Sequence, residues 1–474
     1  MSKTQKSSNL RHKPYYYIMI QNLKICVNTQ TPLVRFNLSY DELLEKYNEL
    51  PDPVPLKMLH EGVDYDFTTG GVTTMVYPLL KKMLSEKRIK NPHCVVLNPV
   101  GSHRVSVNSI VIHNISLETM ALDDYSRFKE AIWRNVHHLE KTPINPKHLT
   151  GFGRYNWTCC EKMLNLQIEN NFDIFYIHDF QQLPIGAMLG PNVHKIFRWH
   201  IPFDSNFKTS WRNFIVKYME DYEAVILSCK KYVDELEKTG FKGKAYWIYP
   251  HLNEANYSKP SNSEINDFCE RFGITENERV VLVVGRVVPI KGQDTVVKAL
   301  PKILKRFPDT KLVLAGNGSF SGSVKGGLGL MKTPVWRGVL EYLIKDLDVE
   351  NNVVFTGYLP QDELNAAYER ADLTVFPSLK DGFGLVPVES WLHKKTCIIS
   401  RGAGISELIK EGENGLMFTP KKHVELSEKI MYLLSKPEAG YRMGEKGFET
   451  AKKCSLKNGM KSVSNVFSEV VGNV

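Results

Sequence analysis

The sequence predicts an α/β protein built from two doubly wound, parallel-sheet domains that face each other across a cleft. Three observations carry this expectation. Short apolar, β-branched runs alternate with helical patterns along most of the 474 residues, as βαβ units of a parallel sheet do. The alternation occurs twice, regularly in the C-terminal half and less regularly before it, with a turn-rich stretch from Pro250 to Ser263 between the two. A hydrophobic content of 42% supplies cores for two domains of ordinary size, and the cleft between such domains is the usual place for a ligand.

In the C-terminal half, strands are expected at Val280–Val284, Lys311–Ala315, Val353–Thr356, Leu373–Phe376 and Cys397–Ser400. Helices are expected between and after them at Asp294–Phe307, Pro334–Asp346, Asp362–Arg370 and Val386–His393, which makes one Rossmann-like domain. In the N-terminal half, strand composition marks Lys24–Asn28, Cys94–Asn98, Ile110–Ile115, Asp173–Ile177, Lys195–Trp199, Ala224–Ser228 and Ala245–Tyr249. Helical patterns there cover Thr74–Ser85, Tyr125–Lys141, Tyr155–Asn170 and Trp211–Tyr222. The expected organisation is a loose leader at 1–22, Rossmann-like domains at 23–252 and 253–450, and a helix at 451–474 that returns to the N-terminal domain. Leu44–Asp66, with Pro51, Pro53 and Pro55, reads as an irregular excursion. Gly316–Gly329 holds six glycines and reads either as a lid near the cleft or as a long surface loop.

Composition narrows the function. Lys and Arg exceed Asp and Glu by nine, but the basic residues are scattered and form no dense block interleaved with aromatics, so no nucleic-acid partner is expected. The eight cysteines show neither CxxC pairs nor zinc-finger spacing, which indicates reduced thiols rather than a metal knuckle or a disulfide frame. Met1–Lys13 is polar and basic, and Tyr15–Ile20 is too short for a signal peptide or a membrane span. The expectation is a cytoplasmic protein without a transmembrane segment.

Two loops carry the chemistry. Pro377–Glu389 follows a strand-like run and leads into a helix whose first turn can hold Pro387. Gly382 and Gly384 leave room for backbone N–H groups to approach an anion or a hydroxyl, beside the positive end of that helix, and carboxylates at Asp381 and Glu389 flank the segment. The second loop, Gly285–Gly292, places Arg286 and Lys291 between a strand and a helix. A fixed guanidinium and an ammonium can neutralise the charge that develops on a departing nucleoside diphosphate without a metal. A dinucleotide oxidoreductase fits poorly, because neither Gly285-Arg286 nor Gly316-Asn317-Gly318 completes a GxGxxG fingerprint.

These segments together resemble the retaining glycosyltransferases of the GT-B fold, the group of glycogen, sucrose and trehalose synthases, with most in common with nucleotide-sugar trehalose synthases. The resemblance runs through GR-x3-KG at Arg286 and Lys291, AGxG at Ala315–Gly318, FTGY at Phe355–Tyr358, the E-x7-E-like loop at Asp381 and Glu389, Gly402–Glu407 and Gly412–Gly415. It implies that Arg286 and Lys291 hold the donor diphosphate, that Gly316 lies beside it, and that Glu389 takes the ribose hydroxyls. Asp381, Gly382 and the amides of Phe383, Gly384 and Leu385 would hold the transferred sugar. Most of the family has Glu where this chain has Asp381; trehalose-phosphate synthases use Asp in a similar loop, so donor-sugar preference stays open.

The N-terminal half matches more faintly. His178-Asp179 ends a strand-like run and is similar to the family's HD motif, whose histidine contacts the donor sugar. Arg198–Phe203 is similar to the HIPF segment of trehalose-phosphate synthases and offers His200, and Gly70-Gly71 is like the glycine loop near the acceptor. The resemblance thus implies acceptor contacts from Gly70, Gly71, Asp179 and His200, and a metal-independent site with no cofactor beyond the donor itself. The Asp64-Tyr65-Asp66 triplet matches a metal-binding DxD pattern of another glycosyltransferase fold, but it lies in the proline-rich excursion and is set aside.

The expected reaction is transfer of a hexosyl group, glucose first, from a nucleoside-diphosphate sugar to a small sugar or similar hydroxyl acceptor with retained configuration. Trehalose or a related glucoside is the expected product. A disaccharide phosphorylase of the same fold and a non-catalytic nucleotide-sugar-binding protein are the alternatives. The sequence leaves a homodimer open.

Overall fold

A computed structural model of the chain describes residues 21–68, 70–318 and 333–472. The expected leader therefore lies, except for its last two residues, outside the described residues, as does most of the Gly316–Gly329 segment. Eleven strands belong to the N-terminal half: β1 (Leu23–Thr29), β2 (Val34–Phe36), β3 (Val54–Pro55), β4 (Tyr65–Phe67), β5 (Ile89–Leu97), β6 (Arg104–Val107), β7 (Ile110–Ile115), β8 (Ile174–His178), β9 (Lys195–Arg198), β10 (Ala224–Leu227) and β11 (Lys244–Trp247). Nine of them form one sheet in the order β11-β10-β9-β8-β1-β5-β7-β6-β3, and β2 pairs with β4 separately. The C-terminal half contributes β12 (Arg279–Val284), β13 (Thr310–Ala315), β14 (Val353–Gly357), β15 (Leu373–Phe376), β16 (Cys397–Ser400) and β17 (Leu416–Phe418). These six run parallel in the order β14-β13-β12-β15-β16-β17.

Strand order reverses between β1 and β8 in the first sheet and between β12 and β15 in the second. Ligands of open α/β sheets bind outside the carboxyl ends of the strands at such reversals. The loops singled out from the sequence leave β8, β12 and β15 there.

The apolar runs become strands because both faces of each sheet are covered. In β12, Val281 and Val283 pack into one core and Val280 and Leu282 into the opposite one, the two-residue alternation of a strand buried on both sides. In β1, Ile25 and Val27 face one layer and Cys26 the other. One apolar cluster continues across the domain boundary, joining Trp199 and Tyr232 to Phe376, Phe383 and Trp391. All eight cysteines are unpaired, and six are buried. No helix of the described residues is long and apolar enough to cross a membrane.

Several elements depart from expectation. The strand expected to begin at Cys94 starts at Ile89; a register shift against Lys24 and Cys26 of β1 accommodates the polar Asn91 and Pro92 that interrupt the apolar run. The helix expected from Tyr155 starts at Pro146, capped by the Asn145 side chain. Gly151 breaks its pattern because a Cβ there would lie 2.5 Å from Asp124 on the neighbouring helix. That neighbour covers Thr119–Val136 rather than Tyr125–Lys141, and the helix expected at Trp211–Tyr222 covers Thr209–Met219.

The excursion contains a helix at Tyr40–Tyr47 as well as β3 and β4. The expected linker is packed at its start, where His251 and Leu252 are buried, and gives way at Asn262 to a helix with a Ser261–Glu264 capping box. The C-terminal helix, Leu456–Val471, buries Met460, Val463 and Phe467 in the core of the N-terminal sheet, with the Phe467 ring edge-on to Tyr176 at 5.2 Å.

Candidate active site

The loop after β12 turns at Gly292, whose left-handed backbone (φ 68°) packs so close to the loop after β15 that a Cβ would lie 2.3 Å from the Pro377 carbonyl oxygen. This approach brings the two loops together, and the Lys291 ammonium forms an ion pair with the Asp381 carboxylate. Asp381 also accepts from Ser378 Oγ at 3.2 Å and from the Phe383 N–H at 3.4 Å. Burial alone would push its pKa up; the Lys291 charge and hydrogen bond, with His137 and the Phe383 N–H, bring it below the ordinary value. Lys291 sits over the Phe376 ring, 5.5 Å from its centroid. Arg286 is exposed, and its guanidinium meets no hydrogen-bond or ion-pair partner among the described residues. The protein crowding it draws its pKa down while Asp381 acts the other way.

Gly316 brings the loop after β13 alongside. Its φ of 136° is one L side chains rarely adopt, and a Cβ there would lie 2.2 Å from the Gly285 oxygen. Glu389, in the first turn of the helix Val386–Leu392, is held by two tyrosines: Tyr368 donates to it at 2.7 Å and Tyr257 at 3.3 Å. Burial pushes the Glu389 carboxyl up in pKa against the pull of both hydroxyls.

From the N-terminal domain, β8 delivers His178 and Asp179, and β9 delivers His200. His178 Nδ1 lies 3.0 Å from His200 Nε2 and the two rings stack at 5.3 Å, so one donates to the other. Burial, with the fully buried Arg198 and nearby His251, keeps His178 well below its ordinary pKa, and the same groups act on His200. Both are neutral rings, and His178 Nε2 is buried without a hydrogen-bond partner. Asp179, with φ of 74°, accepts from the Phe180 N–H; burial raises its pKa to about 7 against backbone donation from Phe180 and His200. Gly70 is the N-cap of the helix Gly71–Ser85 and has no side chain to cap it.

The structure brings the C-terminal-domain residues into one site and sets His200 against it. Gly382 lies so close to the His200 carbonyl oxygen that a Cβ would stand 1.9 Å away. The Asp64-Tyr65-Asp66 triplet is elsewhere occupied: Asp64 is fully buried and accepts from Lys46, from Tyr47 and from the His60 N–H, while Asp66 is exposed. Sequence reasoning missed Tyr257 and Tyr368, and also His137, a buried imidazole whose pKa desolvation lowers to about 4 and which feels the charges of Asp381, Lys380 and Lys291. Tyr257 lay in the expected linker, Tyr368 reads as part of an apolar helix face, and no local signal marks their shared target.

Two doubly wound domains whose crevices face each other, with cations and carboxylates gathered at the second switch point, define the GT-B architecture. Residues 265–450 match the family model for glycosyl transferases group 1, and residues 131–234 match that for the trehalose synthase N-terminal domain. A trehalose synthase of Pyrococcus horikoshii is 28% identical over 304 residues, 62% of this chain and 69% of that protein. An uncharacterised glycosyltransferase of Methanocaldococcus jannaschii is 28% identical over 323 residues, 65% of this chain and 77% of that one. In fold, a UDP-forming trehalose-phosphate synthase from Burkholderia xenovorans superposes with a TM-score of 0.72 at 15% identity, covering 96% of this chain and 100% of that chain. The chain is thus similar over these segments to group 1 glycosyl transferases and to trehalose synthases, and it shares the GT-B fold of its structural neighbours.

Proposed function

We propose that this glycosyltransferase moves a hexosyl group, glucose first, from a nucleoside-diphosphate sugar to a small-sugar or similar hydroxyl acceptor, with retained configuration and without a metal. The observation that carries the reading is the meeting of Lys291 and Asp381 on adjoining loops, with an exposed Arg286 near enough to feel the Asp381 charge. It sets the cation we assign to the diphosphate against the loop we assign to the sugar.

Glu389, aimed by Tyr257 and Tyr368, is suited to accept from ribose hydroxyls. Asp381 and Glu389 are engaged in these contacts, and no second carboxylate is assigned to attack the anomeric carbon. The departing phosphate is then the group that takes the acceptor's proton on the same face of the sugar, while the protein contributes positioning and electrostatics. The His178 Nε2, buried and unpartnered, is the atom we assign to a donor-sugar oxygen, with Asp179, His200 and the Gly70-Gly71 turn toward the acceptor. The trehalose synthase relatives make trehalose or a related glucoside the first product to seek.

The test is a panel of nucleotide-sugars against small-sugar acceptors with the purified chain, scoring nucleoside diphosphate release and product anomericity by NMR. Release with an α-linked product from an α-donor, unchanged by a chelator, is expected. Strict dependence on inorganic phosphate would convert the reading to a phosphorylase, and binding without turnover to a non-catalytic protein.

A further inference from the structure

Four consecutive residues of the Asp381 loop each touch the other domain. Lys380 Nζ lies 3.4 Å from Asp204, Tyr232 donates from its hydroxyl to the Asp381 carbonyl at 2.7 Å, Gly382 abuts the His200 carbonyl, and the Phe383 and Tyr249 rings stand 5.7 Å apart. Tyr232 projects from the first turn of the helix Lys230–Glu237. That helix is fastened to the C-terminal domain at its start. The Glu407 carboxylate accepts the N–H groups of Lys230 and Lys231 at 3.1 and 3.0 Å, and Lys231 Nζ returns to the Ala403 carbonyl at 2.7 Å and Ser406 Oγ at 3.0 Å. A carboxylate on the positive end of a helix completes its orphan donors, here from another domain. The Asp381 carbonyl also takes the Gly404 N–H at 3.1 Å, so its two lone pairs are filled once from its own domain and once by Tyr232.

The two halves of the donor site therefore differ in what holds them. Arg286, Tyr257, Tyr368 and Glu389 are placed by the C-terminal half of the chain. The Asp381 loop is placed by both domains. We infer that Tyr232 is a positioning residue that fixes the Asp381 loop through its main chain, so that recognition of the transferred sugar, and not of the nucleotide, depends on the contact between domains. The inference rests on the assignment of Asp381 to the donor sugar.

Tyr232→Phe in the full chain removes the hydroxyl and keeps the ring, which packs in the shared apolar cluster. Titration of UDP against UDP-glucose, with the ADP and GDP pairs alongside, separates nucleotide from sugar. The expected result is nucleoside diphosphate affinity within about twofold of wild type, with nucleotide-sugar affinity and kcat each reduced about three- to tenfold, the range of one uncharged hydrogen bond. Glu407→Gln, which unfastens the helix carrying Tyr232, should give the same pattern. Unchanged sugar recognition in both variants overturns the inference. Equal weakening of diphosphate and nucleotide-sugar, with a lowered melting temperature, also overturns it, because the residues would then be merely structural. A wild-type chain that binds none of the nucleoside diphosphates fails at the donor site itself, a distinct result that removes both readings.

Discussion

Gly382→Ala isolates the contact between the two domains. The backbone at Gly382 lies outside the left-handed region, so alanine meets no conformational penalty of its own. Its Cβ would instead stand 1.9 Å from the His200 carbonyl oxygen, 2.9 Å from the carbonyl carbon and 3.1 Å from the Ile201 Cα. Carbon and carbonyl oxygen approach to about 3.3 Å, so the Asp381 loop and the end of β9 must part by roughly 1.4 Å. Such overpacking costs about 1–3 kcal/mol, and a penalty of that size on the arrangement in which these two segments touch lowers its population about 5- to 150-fold. Steady-state kinetics on the donor should show kcat/KM reduced by that factor. The melting temperature should fall only modestly, because a local parting at this contact relieves the collision and leaves both sheets in place, at the expense of some packing in the apolar cluster the domains share. Donor turnover within twofold of wild type would refute the argument, since it would mean that the contact at His200 is absent from the working enzyme.

The remaining predictions concern the charges. Arg286→Ala and Lys291→Ala should each lower turnover on the order of 10²- to 10³-fold, as removal of a transition-state donor does, and near-normal rates in both would remove the diphosphate assignment. Glu389→Gln should reduce the preference for ribose over 2′-deoxyribose donors by about 10- to 100-fold, the range of a hydrogen bond to a charged group; an unchanged ratio by competition kinetics counts against the ribose role. Asp179 has a native pKa of about 7 against an ordinary 3.8, so its contribution to stability is fully present below the lower value and is lost as pH rises through the upper one. Asp179→Asn should therefore gain on wild type by on the order of 1–3 kcal/mol between about pH 5 and pH 8 in denaturant unfolding, and a pH-independent difference would contradict the assigned burial.

How much could be read in advance follows from where each signal lies. Strands β12, β13, β15 and β16 were legible because burial on both faces demands unbroken apolar runs, and the loops after β12 and β15 because glycine and paired charges stand out against such runs. β5 was only half legible, since Lys90, Asn91 and Pro92 interrupt its pattern, and the extra residue they bring is accommodated as an irregularity of β5 opposite Ile25 of β1, a strand remote in sequence. The Leu44–Asp66 region reads as an irregular excursion, yet the buried Asp64 carboxylate ties Lys46, Tyr47 and the His60 N–H together, a polar nucleus that leaves no periodic trace. Tyr232 and Asp381 were illegible as partners for the same reason: 149 positions apart in the chain, they meet only through domain packing.

The departure at Asp381 takes on a physical meaning in this setting. An aspartate reaches the N–H two residues on, as Asx turns do, and Asp381 does so at Phe383 while pairing with Lys291. A glutamate would carry its carboxylate about 1.5 Å further from the main chain and give up that local bond. The shorter side chain thus orders its own loop and holds Lys291, the cation assigned to the diphosphate. The outer face of the loop is fixed separately by the Tyr232 hydroxyl on the Asp381 carbonyl. Preorganisation of the amides assigned to the sugar is divided between a side chain of the loop and a hydroxyl of the opposite domain, so on that assignment loss of either should loosen sugar recognition before it loosens the grip on the nucleotide.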